Sequence, residues 1–444
     1  MKQSHINKTF IKFSQYIVAV ILILLPFHAL LSVWAGSNFG HYTIIRLWKE
    51  ILIISILLPV LFYLFTKYSF NKMSKTNLLL YISLGYILIS LIVSLIAYKS
   101  RHINPKAFGY GMDINLRYIF FFWLCLFVSK HSKWLRTNWM NILLIPGILV
   151  VGFGLAQHFI LPADFLKHFG YSTLTIIPFQ TVDSNNAYIR LQSTLRGANP
   201  LGVYLVLIMP GFLYKLIKSG NKARLLWGAM TLSSLIVLFY SYSRSAYIGA
   251  VISCSLVIWV LASKKLKKIF LIASAALIAM VIGLFIMLKN NTTFQDTVLH
   301  TSNTTKSQVS SNQKHQSSII SGLKDVASHP LGSGVGSAGP ASVYNNHPSK
   351  IAENYYVQIA QETGIIGFGL LISILILIGV NLVKSIHNPM SLILFASLIG
   401  ISFVNLLSHA WADDTISLLW FGLAGIALAP EVYGNSFKLK NQHK

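Results

Sequence analysis

Runs of about 20 apolar residues recur along the whole chain, and each is long enough to cross the hydrocarbon core of a bilayer as a helix. Only 11% of the 444 residues are charged and 54% are apolar, whereas soluble domains carry roughly 25% charged residues. The sequence therefore predicts an all-α fold, a polytopic integral membrane protein that forms a single membrane domain over residues 1–444.

Twelve apolar segments are candidates for membrane spans. They lie near residues 15–35, 42–66, 78–97, 114–129, 140–161, 197–214, 225–241, 245–263, 269–288, 356–383, 390–408 and 414–430. The second segment is unusual because it contains Arg46, Lys49 and Glu50, and the fourth is short. The predicted architecture is a bundle of about twelve transmembrane helices.

The distribution of positive charge predicts how this bundle is oriented. With a cytoplasmic N-terminus, 21 of the 36 lysines and arginines fall on the cytoplasmic side, nearly all in short loops, as the positive-inside rule requires. Both termini are then cytoplasmic, in a multi-pass protein of the plasma membrane. The formal net charge of +25 mainly reflects this topology. No basic surface is gathered on one soluble face, so we expect the lipid bilayer and no nucleic acid as a partner.

Two long polar segments face the outside in this topology. The first is an outer loop, 162–196, between the fifth and sixth spans, and the second is a large extracytoplasmic loop, 289–355. Within the second, apolar residues recur at helical spacing over 317–327, which predicts a short amphipathic helix. The glycine run at 332–339 has no preceding strand and no following Lys-Ser/Thr, so a phosphate loop is not expected there.

Three arginines lie near helix ends on the predicted outer face. Arg190 and Arg196 precede the sixth span, and Arg244 lies in the four-residue turn between the seventh and eighth spans. Such arginines can snorkel to lipid headgroups. Three of them with few acids nearby also suit a diphosphate, because the planar guanidinium binds phosphate oxygens bidentately.

The tenth span begins with a polar stripe. Asn354, Gln358 and Gln361 are spaced i, i+4, i+7 and therefore share one helix face, where they either bond to other helices or line a cavity. Glu353 lies at the membrane rim, where a carboxylate can act as general base on a sugar hydroxyl. His347 is a second candidate base.

The last outer loop contributes His409, Asp413 and Asp414, which either orient groups in a pocket or form a plain turn. Both cysteines, Cys125 and Cys254, fall inside predicted spans. The outer loops therefore offer no thiolate ligands, and we expect no metal site there.

Four strings of residues, in this order, resemble the O-antigen ligase and Wzy-type polymerase family of bacterial envelope proteins. They are RLQSTLRGANPLG at 190–202, SYSRSA at 241–246, HPLGSGVG at 329–336 and ENYYVQIAQETGIIG at 353–367. The resemblance implies a GT-C-like helical bundle and a metal-independent, inverting glycosyltransferase that needs no cofactor. It implies a polyprenyl-diphosphate-linked glycan, such as an undecaprenyl diphosphate, as donor, and a glycan or lipid-glycan as acceptor in cell-envelope or exopolysaccharide synthesis.

The resemblance also implies roles for particular residues. Arg190 (or Arg196) and Arg244 correspond to the arginines that hold the diphosphate. In the ligase branch a histidine usually precedes the asparagine that opens the next helix, whereas this chain has Glu353 there. Glutamate can also take a proton, so either Glu353 or His347 is the base, and ligase and polymerase remain equally compatible. The residues expected to support the site are Asn354, Tyr355, His409 and Asp413.

A transporter or flippase of lipid-linked oligosaccharide is the alternative from another class. Those folds tend to have related halves joined near the middle of the chain, whereas the major loop here follows the ninth span and faces outside. Metal-dependent membrane glycosyltransferases generally have acidic residues in the first outer loop, and residues 36–42 contain none. We therefore expect a glycan ligase or polymerase.

Overall fold

The computed structural model describes residues 8–67, 77–182, 185–265, 267–268, 283, 286–288 and 311–429. The regular secondary structure of these residues is helical apart from one antiparallel hairpin, in agreement with the predicted all-α class. The helices before the hairpin are α1 Lys8–Leu24, α2 His28–Phe39, α3 Tyr42–Ile45, α4 Trp48–Lys67, α5 Asn77–Lys99, α6 Pro105–His131 and α7 Lys133–Phe159. The hairpin strands are β1 Gln180–Val182 and β2 Asn185–Arg190. The later helices are α8 Ala198–Lys218, α9 Asn221–Tyr240, α10 Arg244–Leu261, α11 Ser311–Ser328, α12 Tyr355–Lys384, α13 Pro389–Val404 and α14 Asp414–Leu428.

Eight helical segments in the described part of the chain are long and apolar enough to cross a membrane, and α13 and α14 are shorter apolar helices. The protein is therefore a polytopic membrane protein. The predicted ninth span, 269–288, lies mostly outside the described residues, and the count of twelve stays a prediction. The predicted fourth span is too short, because α6 already begins at Pro105. There the side chain of Asn104 accepts the Ala107 N–H at 3.0 Å and caps the helix.

The helix ends form two opposite ends of the bundle. One, called the loop end below, carries the connections 40–47, 100–104, 160–197, 241–243, 329–354 and 405–413. The other, called the basic end, carries the short turns at 132, 219–220 and 385–388 and is the predicted cytoplasmic side. Connections at the loop end contact one another: the Leu191 N–H donates to the Tyr240 carbonyl at 2.9 Å, and the Asn104 N–H donates to the Asn345 side chain at 3.0 Å.

Two close helix pairs hold the elements that carry the candidate site. Helix α14 lies against α6 so tightly that a Cβ at Gly425 would be 2.3 Å from the Phe122 carbonyl oxygen. Helix α10 crosses α13 equally closely, with a Cβ at Gly400 only 2.5 Å from the Gly249 carbonyl oxygen. Small residues permit this approach of backbones in membrane bundles. The N-terminal half of α10 therefore lies beside the C-terminal half of α13, and Arg244 is at the same end as residues 405–413.

Helix α12 is interrupted, and the long loop enters the interruption. Gly364 has φ 71° and ψ −178°, so the helical hydrogen bonds stop there. The loop takes their place: the Ile365 N–H donates to the Pro330 carbonyl at 2.9 Å, and the Gly334 N–H donates to the Glu362 carbonyl at 2.9 Å. Helix α11, which contains the predicted amphipathic segment 317–327, also packs on α12. The first part of α12 is thereby enclosed by the loop.

Candidate functional site

Arg190 lies at the end of β2 and reaches across to the first turn of α8. Its Nε donates to the Ser241 carbonyl at 3.0 Å, and one terminal nitrogen donates to the side-chain oxygen of Asn199 at 2.7 Å. The same nitrogen lies 3.4 Å from the Tyr242 carbonyl. These neutral oxygens fix the direction of the guanidinium, which therefore lies between the start of α8 and the turn that precedes Arg244.

Arg244 is the first residue of α10, and its side chain is exposed. The preceding residue, Ser243, packs on the first turn of α8: a Cβ at Gly202 would be 2.9 Å from the Ser243 Cβ. Arg244 is therefore held beside the same helix start as Arg190. The turn is strained, because Tyr242 has a φ of 50°, in a region that side chains other than glycine rarely adopt.

Arg196 immediately precedes α8 and approaches the site from another side. Its guanidinium lies 3.1 Å from the Asp413 carboxylate, and this carboxylate raises the pKa of Arg196 above its ordinary value. The three predicted diphosphate arginines thus surround one helix N-terminus. The α8 dipole adds partial positive charge at that point, which makes this part of the loop end suited to anions.

Residues 405–413 connect this arginine group to the start of α12. The Tyr355 N–H lies 3.0 Å from the Asn405 carbonyl and 3.1 Å from the Ser408 carbonyl. The Asn354 side chain donates to the Leu406 carbonyl at 2.9 Å. Asp413, at the far end of the segment, bonds Arg196. The structure therefore links Glu353, Asn354 and Tyr355 to the arginine group through one short segment, which also contains His409.

Glu353 adopts a left-handed backbone conformation with a φ of 52°. Such strain costs of order 1–3 kcal/mol and clusters at functional sites. Ser193 and Tyr242, in the segments that carry the arginines, also have a positive φ, as do His41 and Arg101 in two other connections of the loop end. Strained backbone therefore occurs at the candidate site and also elsewhere at the loop end.

Asn354 and Tyr355 have structural contacts at this position. The Asn354 side-chain oxygen caps α12 by accepting the N–H groups of Tyr356 and Val357 at 3.0 and 3.1 Å. The buried Tyr355 hydroxyl lies 3.1 Å from the Tyr118 hydroxyl on α6. These bonds fix the start of α12, so both residues hold Glu353 in place.

His347 lies in a different part of the loop end. Its ring stacks on His102, with ring centroids 5.4 Å apart, and its Nδ1 lies 3.0 Å from the Pro348 carbonyl. Burial lowers the pKa of His102, and electrostatic interactions with His347, Lys350 and His329 lower it further. The described contacts of His347 therefore join the loop to the α5–α6 turn, and the arginine group has no part in them.

A buried ion cluster at the loop end was not predicted from the sequence. Its centre is Lys49, whose ammonium lies 3.0 Å from both the Glu50 and Asp414 carboxylates. Arg117 lies 3.0 Å from Asp113 and 3.5 Å from Glu50. The signals in the sequence were the charges inside the second apolar segment and Asp414 in the last outer loop. Such buried ions need several partners to offset their desolvation, and here helices α4, α6 and α14 supply them.

Glu362 is a second buried group, and it lies beside the polar stripe that the sequence shows at the start of the tenth span. Its carboxylate accepts the Gly336 N–H at 2.8 Å and the Asn115 side-chain amide at 2.9 Å, and the Gln358 amide lies 3.4 Å away. A backbone N–H of the glycine run thus binds a carboxylate of the same chain. Glu362 therefore anchors the long loop to α6 and α12.

No set of three or more His, Cys, Asp or Glu side chains suited to a metal ion occurs in the described part of the chain. The carboxylates of the buried ion cluster instead face Lys49 and Arg117.

The fold defines the class, which is a polytopic helical membrane protein with its long connections at one end. Within this class, residues 229–372 match the family described as O-antigen ligase. The match confirms the resemblance to this family, and it includes three of the four strings, whereas the string at 190–202 lies outside it. The matched residues include Arg244, the glycine run and Glu353, whereas Arg190, Arg196 and Asp413 lie outside them. No curated protein matches the chain.

Proposed function

We propose that this protein is a membrane glycosyltransferase that moves a glycan from a polyprenyl diphosphate to an acceptor hydroxyl. The reaction takes place at the loop end, which we assign to the extracytoplasmic face of a bacterial plasma membrane, with both termini in the cytoplasm. The acceptor is a glycan or a lipid-linked glycan. The family match supports the class of reaction, and the residues at the loop end supply the details.

One observation carries the proposal: three arginines surround the first turn of α8. Arg190 is bonded to Asn199 in that turn, Arg196 precedes it, and Arg244 follows Ser243, which packs on Gly202. A diphosphate has several anionic oxygens, and planar guanidinium groups bind such oxygens bidentately. A rim with this many convergent cations supports a lipid-linked diphosphate as the bound group.

The arginines also suit the chemical step. The acceptor oxygen forms a bond to the anomeric carbon from the face opposite the diphosphate, and the bond from that carbon to the diphosphate oxygen breaks. The configuration is inverted, and polyprenyl diphosphate leaves with the electron pair. Arg190 and Arg244, with Arg196 assisting, stabilise the negative charge that develops on the leaving group, without a metal ion. Such preorganised electrostatic stabilisation is usually the largest contribution to catalysis.

Glu353 takes the proton of the acceptor hydroxyl in this proposal. It lies at the membrane rim immediately before α12, and the 405–413 segment connects its neighbours to Arg196 through Asp413. His347 is the second candidate base, although its described contacts lie with His102. Geometry therefore favours Glu353.

The test uses proteoliposomes that contain one polyprenyl-diphosphate-linked oligosaccharide as the only glycan substrate, with products separated by size on a gel. A ladder would identify a polymerase, and transfer that begins only when envelope acceptors are added would identify a ligase. Arg244→Ala should reduce transfer roughly 100-fold, the scale for loss of one charge-stabilising donor.

The matched control is Arg224→Ala, which removes an exposed arginine of α9 at the basic end. Its transfer rate should stay within a factor of about two, since surface substitutions usually change stability by under 0.5 kcal/mol. Equal activity of a folded Arg244→Ala protein and the control would overturn the assignment of the arginine site. Movement of intact donor across the bilayer without any transfer would favour a flippase.

A further inference from the structure

A cavity of about 420 Å³ lies at the basic end of the bundle, far from the arginine group. It is formed by the beginning of α7, the beginning of α13 and the end of α14. Its lining includes Lys133, Arg136, Trp139, Asn388, Met390 and Ile426. Its volume falls within the range of about 300–1,000 Å³ that is usual for small-molecule sites.

The charge on the cavity wall is positive. Lys133 and Arg136 both line it, and none of the described residues that line it is acidic. The wall also includes the start of α13, where Asn388 caps the helix by accepting the Met390 N–H at 2.9 Å. The dipole of a helix of this length adds partial positive charge at its N-terminus. Together these groups favour an anion.

One terminal nitrogen of Arg136 is buried and has no hydrogen-bond partner among the described residues. A buried charged donor without a partner is strongly unfavourable, and nearly all such groups in folded proteins are satisfied. The missing partner of this nitrogen is a second indication, besides the charge on the wall, that the cavity binds a group with an acceptor atom. Phosphate oxygens are well suited, because the guanidinium geometry matches them.

Part of the wall is apolar and lies at the ends of the spanning helices. Trp139, Met390 and Ile426 provide this surface, and tryptophan is enriched at the level of lipid headgroups. A ligand that has both a phosphate and an apolar part satisfies the whole wall better than a free anion does. The basic end is also the predicted cytoplasmic side, where membranes present anionic lipids.

We propose that this cavity binds the phosphate headgroup of an anionic phospholipid in the cytoplasmic leaflet, with Arg136 as its main ligand and Lys133 beside it. The bound lipid fastens the start of α13 to α7 and α14. This matters for the loop end, since α13 leads directly into residues 405–413. The site is distinct from the donor site in position and in the residues used.

The experiment measures thermal unfolding of the full-length protein in mild detergent with added lipid. Dioleoylphosphatidylglycerol should raise the Tm in a saturable way, as expected for a ligand that binds the folded state, whereas dioleoylphosphatidylcholine should not. Arg136→Ala should weaken the apparent affinity roughly tenfold or more, the scale for a lost charge-assisted hydrogen bond. Arg224→Ala, an arginine at the same end but outside the cavity, should leave the affinity unchanged.

Two further arms distinguish a bound lipid from a free anion, and this cavity from the donor site. Inorganic phosphate that raises the Tm and competes with phosphatidylglycerol would identify a free anion as the occupant and would overturn the lipid assignment. Arg244→Ala at the loop end should retain the full phosphatidylglycerol effect, so failure of the donor-site proposal does not affect this one. An equal loss of affinity in Arg136→Ala and Arg224→Ala, or a Tm decrease in Arg136→Ala that does not depend on lipid, would overturn the proposal.

Discussion

The Arg196 guanidinium lies 3.1 Å from the Asp413 carboxylate, although the two residues are 217 positions apart in the chain. Asp413 is nearly buried, at 6% exposure, whereas Arg196 keeps 47% of its side chain exposed. The carboxylate therefore fixes one side of the guanidinium, and the other side remains open to the loop end. The pair joins the start of α8 to the start of α14, and so sets the distance between the arginine group and residues 405–413.

Asp413→Asn should separate the electrostatic role of this pair from its structural one. Asparagine caps a helix nearly as well as aspartate, so the bonds to the N–H groups of Thr415 and Ile416 are retained. Arg196 loses its carboxylate partner and its fixed direction. We expect a small change in Tm and a loss of transfer activity of roughly tenfold, on the scale of one charge-assisted hydrogen bond.

Asp413→Ala is the comparison for this prediction. It also removes the cap of α14, which costs roughly 1 kcal/mol more, and its Tm should therefore fall below that of Asp413→Asn. Both proteins are measured by thermal unfolding and by the proteoliposome assay. Wild-type activity in Asp413→Asn would show that the pair has no part in placing Arg196.

The break in α12 predicts that substituting one glycine changes the stability of the protein strongly and that substituting another changes it only weakly. Gly364→Ala would place a Cβ 2.4 Å from the Leu331 carbonyl carbon, on a backbone with φ 71°. Both the clash and the strain should displace the 329–339 loop, and we expect a loss of more than about 2 kcal/mol in unfolding free energy.

Gly369→Ala in the same helix is the matched control. A Cβ there has no atom within 4 Å, so the substitution should stabilise the helix by roughly 0.5–1 kcal/mol. Thermal unfolding of the two variants in detergent checks the prediction. Equal Tm values would mean that the loop does not depend on the interruption of α12.

The buried ion cluster predicts a large stability loss on removing its central cation. Lys49→Met leaves the Glu50 and Asp414 carboxylates without the ammonium that lies 3.0 Å from each. Breaking a buried ion group in this way costs roughly 3–5 kcal/mol. Lys99→Met, at an exposed lysine of the same end, should change stability by less than about 0.5 kcal/mol.

A double variant shows whether the cost comes from uncompensated charge. Adding Glu50→Gln to Lys49→Met removes one of the two carboxylates that were left behind, and should restore part of the Tm. Additive losses in the double variant would indicate that packing, and not charge, is the main contribution of Lys49.

The stacked pair His102 and His347 predicts a pH dependence for the docking of the long loop. Burial, with His347, Lys350 and His329, lowers the pKa of His102 from its ordinary value of 6.5. Below pH 6.5 the undocked or unfolded state then binds more protons than the docked state. The contribution of His102 to docking is therefore fully present above pH 6.5. It is lost as the pH falls through the lowered pKa.

Hydrogen exchange of residues 339–350 at pH 7.5 and pH 5, corrected for the intrinsic rate, measures this effect. Protection should be lower at pH 5 in the wild-type protein, and His102→Gln should remove most of the difference. An unchanged pH dependence in that variant would assign the effect to other groups.

Much of the fold follows from the sequence because an apolar run of sufficient length has few alternatives to a membrane helix. The location of the three arginines at one end of the bundle follows too. Arg190, Arg196 and Arg244 all stand at helix ends on one predicted face, and the structure groups them around α8. Their shared face depends only on the order of the spans and on the side of the membrane where each loop lies.

The bonding partners of individual side chains could not be predicted, because the sequence does not specify which helices are neighbours. Asn115 and Glu362 bond although they are 247 positions apart, and neither residue type indicates a partner at that distance. Gly364 is another case. A glycine within an apolar run is compatible with a continuous helix, and only the loop that fills the break at φ 71° makes the interruption stable. Interactions that depend on how the helices pack could therefore be identified only from the structure.

The choice between Glu353 and His347 as general base gives the last prediction. Glu353 stands at the start of α12 in a strained conformation with φ 52°, connected through residues 405–413 to Arg196. His347 stacks on His102. Since loss of a general base usually costs about 10²–10⁴ in rate, Glu353→Gln should reduce kcat on this scale. The KM for the lipid-linked donor should change little, because the arginines proposed to bind the diphosphate are untouched.

His347→Gln provides the comparison at the second candidate. Glutamine cannot accept and release a proton in the same way, but its side chain can still bond within the loop, so we expect kcat to fall by less than about tenfold. The pH–rate profile adds a second readout. The part of the profile that reports titration of an essential base should disappear only when that base is removed. A large fall in kcat for His347→Gln together with near-normal turnover in Glu353→Gln would reverse the assignment and make the histidine the base.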